Sequence, residues 1–378
     1  MSGEDALVRV PGLVNAHTHA AMTLFRGYAD DLPLMQWLEA YIWPAERRLD
    51  PEDVYWGTRL ACVEMIRTGT VRFWDMYWHP GATARAVKDA GLRAVIGAPL
   101  IDDGDRAKSP KLREAAERSL EEIVAEGGEA VEPALAPHAI YTVSEESLRW
   151  IAETSAERGL PIQIHLSETR DEVERCISEH GERPTTYLDR LGLLGPRTIL
   201  AHCVWLDRTE FELIAERGAT IATNPVANLK LAVGRVFDYS AARSAGVEMG
   251  LGTDGAGSNN SLDLLADAKT FALLQKHETG DPAAVTADET WAIATGRRSR
   301  LLDLAGGERE NHIFVRRDSP ELSLGDLEAG LVYASSGSVV DTTVVGGREL
   351  MKGGVVEGAD EVVAGARERA DRLGLTSH

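Results

Sequence analysis

The feature that most constrains the fold is a regular alternation of short β-rich runs with amphipathic helical stretches between about residues 10 and 300. Eight strands that alternate with helices favour parallel pairing with right-handed crossovers. About 290 residues suit a closed (β/α)8 TIM barrel better than an open doubly wound sheet, and no GxGxxG motif follows the first strand. The predicted strands are residues 13–16, 70–76, 93–100, 133–137, 161–165, 198–202, 219–224 and 247–253, and the helices between them include residues 51–67, 111–126, 144–158 and 209–217.

The pattern changes after about residue 306. Residues 331–334, 339–345 and 348–352 have the apolar, β-branched character of short antiparallel strands, and Gly346-Gly347 forms the turn between the last two. A charged helix over residues 359–373 closes the chain. We therefore expect the barrel over residues 1–305 and a small β-rich unit with a C-terminal helix over residues 306–378.

Composition excludes several classes of protein. The 378 residues include 60 acidic and 40 basic ones, so the formal net charge is −20, and we expect neither nucleic acid nor a membrane as a partner. Arginine outnumbers lysine 33 to 7, which with the acidity indicates a highly saline, halophilic cytoplasm. Because the sequence has no run of 18 apolar residues and no signal pattern, we expect a soluble, cytoplasmic protein. Three cysteines without CxxC spacing favour neither a disulfide framework nor a thiolate zinc site.

The strongest chemical signal is His17-Thr-His19, which ends the first predicted strand. Side chains two apart on a strand point the same way, so both imidazoles face one spot at the C-terminal mouth of the barrel, where barrel enzymes place their active sites. Such a pair also occurs by chance, but His165, His202 and Asp254 end three further predicted strands. Nitrogen and carboxylate ligands suit zinc or iron(II), and an open coordination position would make the site that of a metal hydrolase.

Two further observations refine this site. Glu168 lies three residues after His165, where a carboxylate can shuttle protons to a substrate nitrogen; the alternative is an acid that stabilises a helix N-terminus. Barrel hydrolases with two metals commonly use a carbamylated lysine late in the fourth strand, and no lysine lies between Lys111 and Lys230. A single metal is therefore favoured.

Five motifs, in order along the chain, resemble the amidohydrolase superfamily and, within it, the S-adenosylhomocysteine/5′-methylthioadenosine deaminases and the related triazine chlorohydrolases. The resemblance covers residues 10–303 closely and the C-terminus more weakly. The motifs are Pro11-Gly-Leu-Val-Asn-Ala-His-Thr-His19, His165-Leu-Ser-Glu168, Ala201-His-Cys203, Asn224-Pro-Val-Ala-Asn-Leu-Lys-Leu231 and Leu251-Gly-Thr-Asp-Gly-Ala-Gly-Ser258.

The resemblance implies one divalent metal, Zn²⁺ or else Fe²⁺, bound by His17, His19, His165 and Asp254, with His202 holding the attacking water. Asp254 would accept the proton of that water, and Glu168 would protonate the ring nitrogen beside the leaving amine. Attack of metal-bound hydroxide on the amine-bearing carbon would then release ammonia.

The resemblance also suggests substrate residues. Trp37 and Glu46 lie in residues 34–46, which are similar to the loop where a Trp covers a nucleoside and a Glu binds both ribose hydroxyls; the alternative is an amphipathic lid helix. His138 matches a purine-contacting position, although a strand-end histidine with a structural partner is the alternative.

Three further residues carry weaker expectations. Arg113 or Arg106 would reach a homocysteine carboxylate, whereas a charge on the helix surface is the better interpretation of either. Ser258 would line the pocket with its hydroxyl, although its glycine and asparagine neighbours are typical of a turn.

The β-rich unit over residues 306–378 departs from the pattern of the family that the motifs resemble. Relatives carry several tens of residues before the first motif, and here only ten precede Pro11. Residues 308–315 also depart from the expected Gly-x-x-Ala-Asp-Leu pattern. We therefore expect a small, N-terminally truncated β-sandwich remnant.

The resulting hypothesis is a metal-dependent hydrolytic deaminase of an adenosine-type nucleoside: S-adenosylhomocysteine, 5′-methylthioadenosine, 5′-deoxyadenosine or adenosine. A triazine chlorohydrolase or aminohydrolase, or a guanine deaminase, is the alternative on the same site. A catalytically inactive, metal-stabilised scaffold is the alternative outside enzymes. Homo-oligomers are common in the family, so we expect one here.

Overall fold

The computed structural model describes residues 6–105, 107–306 and 310–376. The strands are β1 Leu7–Pro11, β2 Leu13–His19, β3 Thr70–Met76, β4 Arg93–Leu100, β5 Val131–Pro137, β6 Ile162–Leu166, β7 Thr198–His202, β8 Thr220–Thr223, β9 Glu248–Leu251, β10 Asp254–Gly255, β11 His312–Arg316, β12 Val340–Val345 and β13 Arg348–Met351. The α-helices are α1 Leu34–Trp37, α2 Trp43–Glu46, α3 Pro51–Arg67, α4 Pro80–Ala90, α5 Ser109–Gly127, α6 Glu145–Arg158, α7 Arg170–His180, α8 Pro184–Arg190, α9 Arg208–Arg217, α10 Pro225–Lys230, α11 Tyr239–Ala245, α12 Leu264–Thr279, α13 Ala287–Ala294, α14 Leu301–Leu304, α15 Leu327–Ala329 and α16 Ala359–Leu373. Short 3-10 turns lie at Ala20–Phe25, Gly128–Ala130 and Gly337–Val339, and π-helical turns at Leu38–Ile42 and Gly330–Ala334.

The large sheet is the predicted (β/α)8 barrel. Strands β2 to β8 pair in sequence order, all parallel, and β9 pairs with β8. The eighth barrel strand consists of β9 and β10, and β10 closes the ring because Asp254 pairs with Thr18 of β2. The sheet thus has one rim where all eight strands end, and this rim carries the site described below.

Neighbouring residues on the barrel strands pack on opposite sides of the sheet. Trp74 and Val95 belong to a buried cluster inside the barrel, whereas Phe73 and Ile96 belong to the larger cluster between sheet and helices. Burial on both faces explains why these strands are apolar runs without polar alternation. The apolar runs therefore predict the bounds of three strands correctly, at residues 70–76, 93–100 and 198–202.

A second, antiparallel sheet has the order β1-β11-β12-β13. Its first strand, β1, pairs with β11, so the sheet includes a strand from within residues 1–305, the range predicted for the barrel. Gly346 and Gly347 form the predicted turn with positive φ angles of 57° and 77°. Residues 308 and 309 of the atypical segment lie outside the described residues.

One predicted strand of this unit is wrong. Residues 331–334 are helical: Asp326 caps α15, and the chain continues as the π-helical turn Gly330–Ala334 with Leu331 and Val332 buried. A four-residue apolar run has no periodicity that separates a strand from a buried helical turn. Within the described residues, no helix is both long and apolar enough to cross a membrane.

Candidate metal and proton-transfer site

Four histidines and one aspartate converge at the C-terminal rim of the barrel. His17 and His19 end β2, His165 is on β6, His202 ends β7 and Asp254 begins β10. His17 Nε2 lies 3.5 Å and His19 Nε2 lies 3.2 Å from Asp254 Oδ1. His165 Nε2 lies 3.3 Å from His19 Nε2. The structure thus brings together all the residues that the sequence suggested as metal ligands.

Backbone strain accompanies this convergence. Ser167, His202 and Asp254 have φ angles of 50°, 70° and 63°, a left-handed conformation that residues with a Cβ rarely adopt. Each such residue costs about 1–3 kcal/mol and persists where surrounding contacts enforce it. All three lie at strand ends of this rim, so part of the strained backbone of the protein borders the site.

Hydrogen bonds fix the orientation of three imidazoles. Nδ1 of His19 donates to the carbonyl of Met76 at 2.6 Å, and Nδ1 of His165 donates to the carbonyl of His138 at 2.9 Å. Nδ1 of His202 donates to Oδ1 of Asn228 at 2.8 Å. Because carbonyl oxygens only accept, Nδ1 of each ring carries a proton, and Nε2 has a free lone pair whenever the ring is neutral.

The environment of His17 indicates whether the cluster fits a metal. Its ring is fully buried, and neither nitrogen has a hydrogen-bond partner among the residues that the structure describes. Leaving buried polar atoms unpaired is costly, unless they bind something further. One candidate ligand atom from each of His17, His19 and Asp254 lies within 4.8 Å of the others, and the same holds for His17, His165 and His202. This set of imidazole and carboxylate donors fits a divalent metal such as zinc.

Burial and the Asp254 carboxylate set the protonation states of the cluster. Burial lowers the pKa of His17 to about 4 and lowers that of His165 well below its ordinary value. Burial alone would raise the pKa of Asp254, but the adjacent imidazoles of His17 and His19 hold it well below the ordinary value. For His19, burial is outweighed by Asp254, which raises the pKa of His19 to about 9. His17 and His165 are therefore neutral imidazoles, and the raised pKa of His19 shows how strongly the Asp254 carboxylate attracts positive charge.

Glu168 lies beside this cluster. It is buried at the wall of the cavity, and its Oε1 is 3.8 Å from Nδ1 of His202. Burial raises the pKa of Glu168, and of the neighbouring Glu172 to about 7. A neutral carboxylic acid at position 168 therefore persists to higher pH than an exposed one, as a proton donor requires.

The cavity above the cluster measures about 110 Å³. Its lining includes Trp37, Glu46, Tyr77, His138 and Ser258. Tyr77 Oη donates to Glu46 Oε1 at 2.7 Å, and Trp78 also hydrogen-bonds the Glu46 carboxylate. Ser258 donates to Asp254 Oδ2 at 2.7 Å, so its hydroxyl contacts the cluster itself.

The other wall residues are fixed by local contacts. Trp37 is buried, and its indole nitrogen lies 3.4 Å from the carbonyl of Tyr28. His138 Nδ1 lies 2.8 Å from Thr142 Oγ1. A second cavity of about 730 Å³ adjoins the first, because Trp43, Glu46 and His138 line both.

Arg113 is placed differently. It is on α5 and forms an ion pair with Glu146 at 3.0 Å, and it is not among the described residues that line either cavity. This placement favours the alternative interpretation, a charge on the helix surface. Arg106 lies outside the described residues.

Three residues that contact the site were not singled out from the sequence. Tyr77 directly follows β3, so the strand-end rule that identified the histidines would have found it. Asn228 lies within a quoted motif, but only the fold shows that it orients His202. Glu172 resembles an ordinary helix-start acid in the sequence, and nothing local indicates its contacts.

Comparisons with known proteins agree with this geometry. The model of the amidohydrolase family matches residues 8–308. The 5′-deoxyadenosine deaminase of Methanoregula boonei is 44% identical over 379 residues, which cover 99% of this chain and 86% of the relative. The 5-methylthioadenosine/S-adenosylhomocysteine deaminase of Moorella thermoacetica is 45% identical, with 96% of this chain and 86% of the relative covered.

A solved structure is also similar. The adenosine deaminase of Xanthomonas campestris with bound zinc has a TM-score of 0.90 and 33% identity, and the match covers 98% of this chain and 87% of that one. The family match spans the whole barrel, and each relative aligns over nearly the entire chain. The family predicted from the motifs is confirmed: this chain belongs to the amidohydrolase family.

Proposed function

We propose that this protein is a metal-dependent hydrolase that removes the amine of adenosine-type nucleosides as ammonia. The observation that carries the proposal is the position of Glu168, His202 and Asp254, which line one cavity together with Glu46. Proton-transfer groups and a carboxylate suited to a diol thus face the same small space. The relatives named as 5′-deoxyadenosine and 5-methylthioadenosine/S-adenosylhomocysteine deaminases support the reaction type.

His17, His19, His165 and Asp254 would hold one divalent metal, zinc or else iron(II). When bound there, the metal lowers the pKa of a water molecule and stabilises negative charge on its oxygen. Ser258 would hold the Asp254 carboxylate through its hydroxyl, and the buried, neutral imidazoles supply nitrogen ligands without a proton to displace.

The residues of the chain carry the protons. Asp254 accepts one proton of the attacking water, His202 orients that water through its free Nε2, and Glu168 donates a proton to the ring nitrogen beside the amine. The water oxygen bonds to the amine-bearing carbon, and the carbon–nitrogen bond then breaks as Asp254 returns its proton to the leaving amine. The remaining hydroxyl proton goes back to Glu168, so the products are the oxo-purine nucleoside and ammonia. The raised pKa of Glu168 suits its role as the proton donor.

Glu46 gives the reason to choose a nucleoside over a flat heterocycle. A carboxylate accepts hydrogen bonds from both hydroxyls of a vicinal diol, and Tyr77 and Trp78 occupy only part of its accepting capacity. Trp37 would cover the nucleoside and His138 would contact the purine. The adjoining cavity of about 730 Å³ would hold the 5′ substituent. Its size would accommodate the larger substituents of S-adenosylhomocysteine and 5′-methylthioadenosine as well as those of 5′-deoxyadenosine and adenosine.

The experiment is a panel of these four nucleosides with metal-loaded protein in high salt. We expect loss of the adenine absorbance band with stoichiometric ammonia, and no reaction in Asp254→Ala. Absence of ammonia from all four nucleosides would overturn the proposal. Metal analysis separates the scaffold alternative, which predicts substoichiometric metal that cannot be restored.

A cytoplasmic location and a homo-oligomeric state are also part of the proposal. Light scattering of the purified protein tests the second of these, and a monomer across the working concentration range would contradict it.

A further inference from the structure

Glu172 binds the backbone of the residue proposed as the proton donor. It lies in the first turn of α7 and is buried. Its Oε1 accepts the N–H of Ser167 at 2.7 Å, and its Oε2 accepts the N–H of Glu168 at 2.9 Å. One carboxylate therefore binds two consecutive amides immediately after β6.

These two amides lie at a strained bend. Ser167 has a φ of +50°, so the chain bends between His165, a candidate metal ligand, and Glu168. The carbonyl of Ser167 is fixed from the other side by the N–H of Trp205 at 2.8 Å. A left-handed serine needs such contacts to be retained, because the conformation is unfavourable by itself. The direction of the Glu168 side chain thus depends on the bend that Glu172 holds.

Two other helices show what a glutamate at this position ordinarily does. Glu210 of α9 accepts the N–H of its own N-cap residue, Asp207, at 3.0 Å, and Glu289 of α13 accepts that of Thr286 at 3.1 Å. Both are ordinary capping boxes. The Glu172 carboxylate instead accepts the N–H groups of the two residues that precede its N-cap residue, Thr169. Helix capping alone does not account for this difference.

We infer that Glu172 is a positioning residue for the reaction: by binding the amides of Ser167 and Glu168, it holds the bend that aims the Glu168 carboxyl at the substrate nitrogen. This inference rests on the proposed function, since it assigns the role of Glu172 through the proton donor. It predicts that Glu172 affects turnover only when Glu168 is present. Binding of the nucleoside, which depends on other walls of the cavity, is largely independent of it.

The test is a double-mutant cycle of Glu172→Gln and Glu168→Gln, with kcat and KM measured for each of the four proteins. An amide side chain keeps one accepting oxygen but sets an N–H₂ group against the second backbone amide, so we expect kcat to fall roughly 10- to 100-fold with KM changed less than about threefold. In the Glu168→Gln background the same substitution should lower kcat less than about threefold, because residues that act as one unit are not additive.

Two variants provide controls for stability. Glu289→Gln removes the matched capping contact far along the chain, and Thr169→Ala removes the N-cap of α7 without touching the Glu172 carboxylate; both should lower the melting temperature and leave kcat unchanged. Should Glu172→Gln not fold, Glu172→Asp replaces it in the cycle.

Two results would overturn the inference, and they are distinguishable. An equal loss of kcat from Glu172→Gln in both backgrounds would contradict the positioning role alone. Full activity of Glu168→Gln would contradict the proposed role of Glu168 and the inference with it.

Discussion

Five side chains of the site are on barrel strands, whereas Trp37 and Glu46 are on the helical segment of residues 34–46. The first group, the strand half, comprises His17, His19, His165, His202 and Asp254. The second group, the lid half, comprises Trp37 and Glu46. In the strand half, several rings are oriented by backbone carbonyls of the barrel itself, such as that of Met76. In the lid half, Glu46 is fixed by the side chains of Tyr77 and Trp78, which directly follow β3.

Different constraints position the side chains of the two halves. Parallel strands of a closed barrel all end at one rim, so side chains at strand ends converge independently of the conformation of the loops. A lid segment has no such constraint, and its position depends on a few contacts such as Tyr77 with Glu46. The segment also contains the π-helical turn Leu38–Ile42, a feature frequent at functional sites. Substitutions in the strand half should therefore abolish chemistry, and those in the lid half should alter substrate choice.

The largest effect is expected for His17→Ala. Removal of this buried imidazole, a proposed metal ligand, should lower metal content and reduce ammonia release by more than the roughly 10²–10⁴-fold that acid–base groups contribute. Metal analysis and the ammonia assay measure both. His312→Ala, on β11 of the small sheet, is the control strand histidine and should change neither. Retained metal and activity in His17→Ala would place the centre elsewhere.

Glu168→Gln should come next. Loss of the proposed proton donor should lower kcat by roughly 10²–10⁴-fold, while KM and metal content change little, because Glu168 is proposed to act on the ring nitrogen and not on the metal. Steady-state kinetics with 5′-deoxyadenosine measure this split. A rise in KM with unchanged kcat would instead assign Glu168 to binding.

The same division explains what could be predicted from the sequence. The spacing of His17 and His19, together with single ligands at other strand ends, was sufficient to place the strand half, since the barrel brings strand ends together. Residues 331–334 were wrongly predicted because a four-residue apolar run fits either a strand or a helical turn. The contacts of Glu172 could not be predicted, because they depend on a left-handed bend at Ser167 that no residue type demands.

Glu46→Gln tests the lid half. Hydrogen bonds to a charged group contribute about 1.5–3 kcal/mol, so KM for ribonucleosides should rise roughly 10- to 100-fold. The 2′,3′-dideoxy analogue of the same nucleoside, which lacks the diol, should respond less than about threefold. Equal effects on both substrates would show that Glu46 acts on the lid fold and not on the sugar.

Tyr77→Phe should give a smaller effect of the same kind. It removes the hydroxyl that donates to Glu46 Oε1 at 2.7 Å and leaves the ring in place. A typical intramolecular hydrogen bond contributes about 0.5–1.5 kcal/mol net, and the loss of this orienting contact should raise KM for ribonucleosides roughly 2- to 10-fold. In the Glu46→Gln background this rise should shrink, since the two residues act together. An undiminished effect in that background would give Tyr77 a separate role.

Arg113→Ala should have the smallest effect. This variant tests whether the residues that select the substrate extend beyond the lid half. Arg113 is paired with Glu146 on the neighbouring helix, and an ion pair of this partly exposed kind contributes about 0–1 kcal/mol. We therefore expect KM for S-adenosylhomocysteine and for 5′-deoxyadenosine to change less than about twofold, as in the matched control Glu146→Ala. A rise in KM confined to S-adenosylhomocysteine would mean that Arg113 leaves Glu146 to bind the homocysteine carboxylate. Substrate choice would then extend beyond the cavity walls to α5, and the lid half would not be confined to residues 34–46.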